Sequence, residues 1–185
     1  NFVTDDIPCL GVEPSKNVAQ VAQEKGIEVI TEFFDQNLAE NIIATYQKAD
    51  AILSANVMCH IPYMHSIYDG VKALLADDGI FIFEDPYLGE VIEKSSFDQI
   101  YDEHVFVFSA LSVKNAFGRQ GFDLVDVEPQ ITHGGSMRYT LAKKGVKRPS
   151  NAVTLLIAKE KELGLDRKET FDTFRQNCET SRDHL

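Results

Sequence analysis

The sequence is poor in the residues that most often declare a function. Its three cysteines, Cys9, Cys59 and Cys178, are odd in number and far apart, with no Cys-x-x-Cys pair. That argues against a disulfide framework and against a structural zinc site inside the chain, so no metal ligand is expected. Scattered thiols fit a reducing cytoplasm, and no basic-then-apolar leader opens the sequence. No apolar run approaches the length of a bilayer span, so no membrane partner is expected. Gly-x-Gly-x-x-Gly and the Walker phosphate loop are both missing, and Gly134-Gly135 lies too late and in the wrong context for either. Basic residues are scarce, 18 against 29 acidic, for a formal charge of −11. Binding a phosphate backbone needs a cationic surface, so the balance disfavours nucleic acid as a general partner, and none is expected. A small anionic ligand is not excluded, because a few placed arginines or backbone N–H groups suffice locally.

What is present is the material of an ordered core: 185 residues, 44% of them hydrophobic. Short apolar strands are expected at Cys9–Glu13, Ile27–Phe34, Asp50–Asn56 and Ile80–Phe83, with two alternating strands at Phe122–Glu128 and Met137–Lys143. Helices are expected at Asn17–Lys25 (Ser15 as cap, Gly26 as stop), Asn37–Gln47, Tyr63–Ala76, Leu88–Lys94 and Ala110–Arg119, the last ended by Gly121. Asp77-Asp78-Gly79 reads as a turn. Strands alternating with helices imply βα units: an α/β, doubly wound, mostly parallel sheet. Pro149-Ser150 marks a change, after which Asn151–Gly164 and Asp166–Leu185 read as amphipathic helices.

The chemistry concentrates where the strand Gly79-Ile80-Phe81-Ile82-Phe83 stops at Glu84-Asp85-Pro86-Tyr87. Shortly afterwards comes Tyr101-Asp102-Glu103-His104. Open α/β sheets bind ligands just outside the carboxyl ends of their strands. A phenol, carboxylates and an imidazole at such a place are the parts of a proton-transfer site; the same quartet also reads as a solvated loop. Glu13, at the end of an early strand, suits the two hydroxyls of a ribose, or is a surface acid favoured by the helix dipole. Cys59 beside His60 suggests a thiol nucleophile, but a buried free cysteine is the commoner meaning and the one adopted.

Several ordered motifs together carry a resemblance: Gly11-Val12-Glu13-Pro14-Ser15, Phe33-Phe34, Ser54-Ala55-Asn56-Val57-Met58-Cys59-His60-Ile61-Pro62, Phe83-Glu84-Asp85-Pro86-Tyr87-Leu88-Gly89, Ser96 to His104, and His133-Gly134-Gly135-Ser136-Met137-Arg138-Tyr139. This resembles the S-adenosylmethionine-dependent sugar C-methyltransferases, which methylate C-3 of nucleotide-linked keto-deoxysugars. The resemblance covers roughly the first 145 residues and continues weakly into the helical tail. It implies a Rossmann-like methyltransferase domain over 1–147, incomplete at its start, and over 148–185 the helical beginning of a truncated C-terminal domain. Family members also carry an N-terminal zinc-binding part and a first strand with a glycine-rich cofactor loop. Neither is seen here, so zinc is expected only in that missing part. The missing strand is central in the family's sheet, so the chain is expected to be a fragment that folds or binds cofactor poorly without it.

The resemblance also implies roles. A carbon next to a ketone must lose a proton before it attacks a sulfonium methyl, which calls for a base, an oxyanion stabiliser and alignment. By resemblance His104 is the base, Tyr101 a donor to the keto oxygen, Glu103 an orienting group, and His60 a second histidine at the site. Glu13, Phe33, Phe34, Ala55 and Asn56 would hold S-adenosylmethionine. Tyr87, His133 and Arg138 would contact the nucleotide-linked sugar, the expected partner. Each has a plainer alternative: a helix-entry bond for His60, a core aromatic for Tyr101, a tight turn for His133-Gly134-Gly135-Ser136, an inter-strand ion pair for Arg138. Two other functions stay open on this reading, an O- or N-methyltransferase of a small metabolite and a non-catalytic nucleotide-binding domain. The oligomeric state is not legible.

Overall fold

The structure is a computed structural model that describes residues 7–184. The chain falls into two compact units, one comprising the chain up to Lys48 with His65–Leu74, the other Ala49–Met64 with everything from Leu75 onward.

In the first unit, β1 (Leu10–Val12) and β2 (Glu28–Ile30) form a parallel two-stranded sheet joined through α1 (Lys16–Glu24). The expected strand to Phe34 stops at Ile30, because β1 offers only three residues to pair with. Ser15 does occupy the cap position of α1, its carbonyl accepting from Ala19 N. Its hydroxyl bonds Asn17 instead of capping. Gly26 ends the helix in the left-handed region (φ +85°), as glycine permits. Helix α2 (Gln36–Thr45) has a cap that the sequence reading missed: the Asp35 carboxylate accepts from Leu38 N at 2.8 Å. Leu38, Ala39 and Ile42 form its buried stripe. Helix α3 (Met64–Leu74) follows the next strand in the chain.

The second unit holds a four-stranded sheet in the order β3 (Ala49–Ala55), β4 (Leu75–Pro86), β6 (Ser136–Lys143), β5 (Phe122–Gln130). β3 and β4 are parallel, and β6 runs antiparallel to both its neighbours, so the sheet is mixed. Among the described residues β3 pairs with β4 alone, and Leu53 at its middle is 55% exposed. Phe81 and Phe83 alternate onto one face of β4. There they meet Phe117 of α5 (Ala110–Arg119) and Tyr139 of β6, with ring centroids 4.8–6.0 Å apart. These rings are the core beneath the carboxyl end of the sheet.

The Asp77-Asp78-Gly79 turn does not precede the strand but is absorbed into it. Between the pairs Ala49↔Leu75 and Ala51↔Ile80 the register shifts, so the turn becomes a bulge. Gly79 is there for space: a Cβ would lie 2.9 Å from Asp50 O and 3.0 Å from Ala49 O. Gly79→Ala is therefore expected to destabilise the protein by about 1–3 kcal/mol, because the obstructing atoms are backbone. A denaturant-unfolding comparison with wild type checks this; an unchanged midpoint would rule the close approach out.

Helix α4 (Leu88–Lys94) follows β4, and α6 (Asn151–Glu162) and α7 (Lys168–Asp183) close the chain. One side chain of α6 is buried completely: Glu160, whose two oxygens accept from Ala110 N at 2.7 Å and Leu111 N at 2.8 Å. A helix N-terminus has unpaired N–H groups and a partial positive charge, which is why an anion settles there. Ser109 caps the next donor, accepting from Ser112 N.

Candidate active site

The site grows from the carboxyl ends of β3 and β4. Asn56, just past β3, adopts a left-handed conformation (φ 54°) and donates from its N–H to Glu84 O at 2.7 Å. The chain then makes a tight 3-10 turn, Met58–His60. The loop from Ser96 to Phe108 returns to this turn: Phe106 N donates to Cys59 O at 3.1 Å, and Leu88 N to Phe108 O at 2.8 Å. Within the loop, His104 N donates to Tyr101 O at 2.9 Å, closing a turn with Asp102-Glu103 at its tip. The compact Tyr-Asp-Glu-His quartet is thus a folded turn at the rim of the sheet.

That turn brings Tyr101, His104 and His60 together. The two imidazole centroids are 4.9 Å apart, and the Tyr101 ring lies 4.2 Å from that of His104. His104 Nδ1 contacts Gln99 O at 2.8 Å. A carbonyl can only accept, so Nδ1 carries the hydrogen and the lone pair of a neutral ring is at Nε2. Tyr101 Oη lies 3.1 Å from that Nε2 and donates to it. His60 is fixed likewise, its Nδ1–H donating to Glu103 O at 2.8 Å. So it is the backbone carbonyl of Glu103, not its carboxylate, that orients a histidine. Both rings are half-buried and Tyr101 is 43% exposed, so the group is open to solvent on one side.

Two neighbours were not foreseen as site residues. Cys59 is fully buried, and burial first, then Asp85, pushes its thiol far above the ordinary range. Asp85 is 1% exposed, and both its oxygens are enclosed without a hydrogen-bond partner among the described residues. Burial pushes its carboxyl from an ordinary 3.8 up to about 6, against the opposing pull of Cys59, His60 and His104. A carboxyl raised on folding binds more protons folded than unfolded between those values. Its contribution therefore makes stability fall as pH rises from about 4 to about 6, then level off. Asp85→Asn is expected to abolish that slope and to remove a penalty of up to about 3 kcal/mol at neutral pH. Unfolding free energies of both proteins measured from pH 4 to 7 check it, and parallel curves would refute it.

Other expected contacts fall differently. Tyr87 is a core residue, 2% exposed, its hydroxyl enclosed in the field of Glu160. Arg138 is occupied: its register opposite Glu84 and Glu128 on the flanking strands gives two ion pairs, each 3.0 Å. Gly134-Gly135 forms a tight turn, with Lys94 Nζ donating to Gly134 O and Tyr87 N to Gly135 O. His133 beside it is exposed and left-handed (φ 52°). Ala55 is exposed at the end of β3. In the first unit Glu13 is half-buried just after β1, its Oε1 accepting from Ser15 N at 2.8 Å. Phe33 and Phe34 lie beyond β2, not at its end; Phe33 is 80% exposed and Phe34 packs by Gly70.

A parallel α/β unit continued by an antiparallel β5–β6 pair, with polar side chains at the carboxyl rim, is the layout of a methyltransferase fold. The methyltransferase domain family matches residues 3–127, and this chain belongs to it. Residues 131–185 match the C-terminal domain of C-methyltransferases. The chain is 35% identical over 176 residues to the C-methyltransferase NovU of Streptomyces niveus, covering 94% of this chain and 41% of that protein's length. Among solved structures, a methyltransferase of Anabaena variabilis superposes with a TM-score of 0.57 at 14% identity, covering 77% of this chain and 71% of that one. A possible histamine N-methyltransferase of Thermotoga maritima gives 0.56 at 20% identity, covering 77% and 76%. The magnesium protoporphyrin IX methyltransferase of Synechocystis, with bound S-adenosylhomocysteine, gives 0.54 at 16%, covering 75% and 65%. At such identities these likenesses establish the fold. No described helix is long and apolar enough to cross a membrane.

Proposed function

We propose that this chain is the catalytic portion of an S-adenosylmethionine-dependent C-methyltransferase acting at C-3 of a nucleotide-linked keto-deoxysugar. The observation that carries the reading is the His104 tautomer: a half-buried imidazole with Nδ1 tied to a backbone carbonyl and its Nε2 lone pair in line with the Tyr101 hydroxyl. Carbon methylation needs a general base, whereas heteroatom methylation needs less. The likeness to NovU supports the carbon acceptor.

The residues present suit the cofactor. Taken by itself, the first unit has Glu13, a carboxylate after a strand's end, the group that suits ribose hydroxyls. Taken by itself, the second has Ala55 and Asn56 at the carboxyl end of β3, with backbone and amide groups that suit a methionine ammonium. When bound, S-adenosylmethionine supplies an electrophilic methyl on a sulfonium. The chain's own residues do the rest. His104 Nε2 takes the proton from C-3. The Tyr101 hydroxyl, released from Nε2 as substrate enters, donates to the oxygen on which enolate charge builds. His60 stands beside it as a second donor or proton acceptor. The keto-deoxysugar substrate, the 1–147 and 148–185 division and the cytoplasmic setting belong to the same reading.

The test uses the full-length protein and a nucleotide-linked 4-keto-6-deoxysugar in heavy water. Deuterium is expected at C-3, and a methyl group at that carbon once S-adenosylmethionine is added. Methylation on oxygen or nitrogen, or no exchange at carbon, would overturn the assignment.

A further inference from the structure

Contiguous spacing in the sequence holds no metal motif, yet folding assembles one set of donors. Cys59, His60 and His104 each place a ligand atom within 4.8 Å of the others. A tetrahedral centre with bonds of about 2.0–2.3 Å separates its donors by roughly 3.3–3.6 Å, so side-chain movements of about 1 Å close the set. Two further features fit a ligand set rather than a chance cluster. Both imidazoles hold their Nδ1–H on a backbone carbonyl, the arrangement that orients Nε2 toward a metal. Asp85, buried and without a hydrogen-bond partner among the described residues, lies within electrostatic reach of all three. An unpaired buried carboxylate is costly, and a dication removes that cost.

We propose that Cys59, His60 and His104 form a site for a thiophilic divalent cation of the zinc class, its fourth position left to solvent. One sulfur and two imidazoles suit zinc and its analogues, and not magnesium or calcium, which take oxygen ligands. Binding expels the Cys59 thiol proton to solvent and draws the His104 lone pair away from Tyr101. Occupancy and proton abstraction then exclude each other, so the cation inhibits. That inhibition rests on His104 as base; the binding itself does not.

Cobalt(II) titration of the chain tests binding without any activity. A thiolate-to-cobalt charge-transfer absorption is expected, retained when Cys9 and Cys178 are both serine, lost in Cys59→Ser, and suppressed by added zinc. His60→Gln, at a half-exposed position, guards against a misfolded Cys59 variant: it should keep the absorption but require about 100-fold more cobalt or more. No such absorption in wild type, or one that persists in Cys59→Ser, overturns the site. In the full-length protein, zinc should inhibit carbon methylation, and Cys59→Ser, each protein measured against its own metal-free rate, should need about 100-fold more zinc for the same fractional loss. Equal inhibition of both would overturn the regulatory consequence.

Discussion

Replacing His104 with alanine in the full-length protein is expected to abolish deuterium entry at C-3 and to lower methyl transfer by about 10²–10⁴-fold, the range for a positioned general base. The expectation follows from how the ring is held. Gln99 O takes the Nδ1 hydrogen, so the acceptor is always Nε2, on the side of Tyr101. An alanine leaves neither an acceptor nor the ring that Tyr101 packs against. Tyr101→Phe separates the two roles: it keeps the packed ring and the base, so exchange should persist while methylation slows through loss of the oxyanion donor. The kinetics to compare are exchange and methylation in the same preparations. Unchanged exchange in His104→Ala would transfer the base role to His60, whose Nδ1 is bound to Glu103 O in the same way.

The second large effect concerns stability. Glu160→Ala is expected to cost about 3–5 kcal/mol, enough to leave a marginal domain largely unfolded. The change strips two N–H groups at the start of α5 of their acceptors and empties a fully buried site. The same carboxylate lies in the field of Tyr87 and Tyr139, whose hydroxyls are enclosed without hydrogen-bond partners among the described residues. Glu160→Gln keeps the shape but turns one acceptor into a donor facing an N–H, so it should recover only part of the loss. Chemical denaturation monitored by circular dichroism measures both variants. A loss below about 1 kcal/mol for alanine would show that water replaces the carboxylate without difficulty.

Much of this architecture was legible before any coordinates. Leu88–Lys94 and Ala110–Arg119 were located to the residue, because left-handed or helix-breaking positions bound them and apolar spacing fills them. The Tyr-Asp-Glu-His cluster stood out because it follows an abrupt end to an apolar strand. Misreadings came where pairing, rather than propensity, decides. β2 stops at Ile30 for want of a longer partner, and the Asp77-Asp78-Gly79 signal sits inside β4 as a bulge. For Arg138 the sequence left a substrate contact and an inter-strand ion pair both open, and the strand register sets Glu84 and Glu128 opposite it, forming the ion pairs.

Composition, periodicity and ordered motifs were enough to indicate an α/β chain of methyltransferase type and to single out Tyr101 and His104, whose rings the fold brings together. These are local properties, written in residues close together along the chain. The burial of Tyr87, the reach of Glu160 across 50 residues to α5, and the meeting of Cys59, Asp85 and the two histidines were settled by folding. Such contacts depend on which strand lies beside which, and that follows from summed packing over distant segments, a quantity no short window of sequence contains.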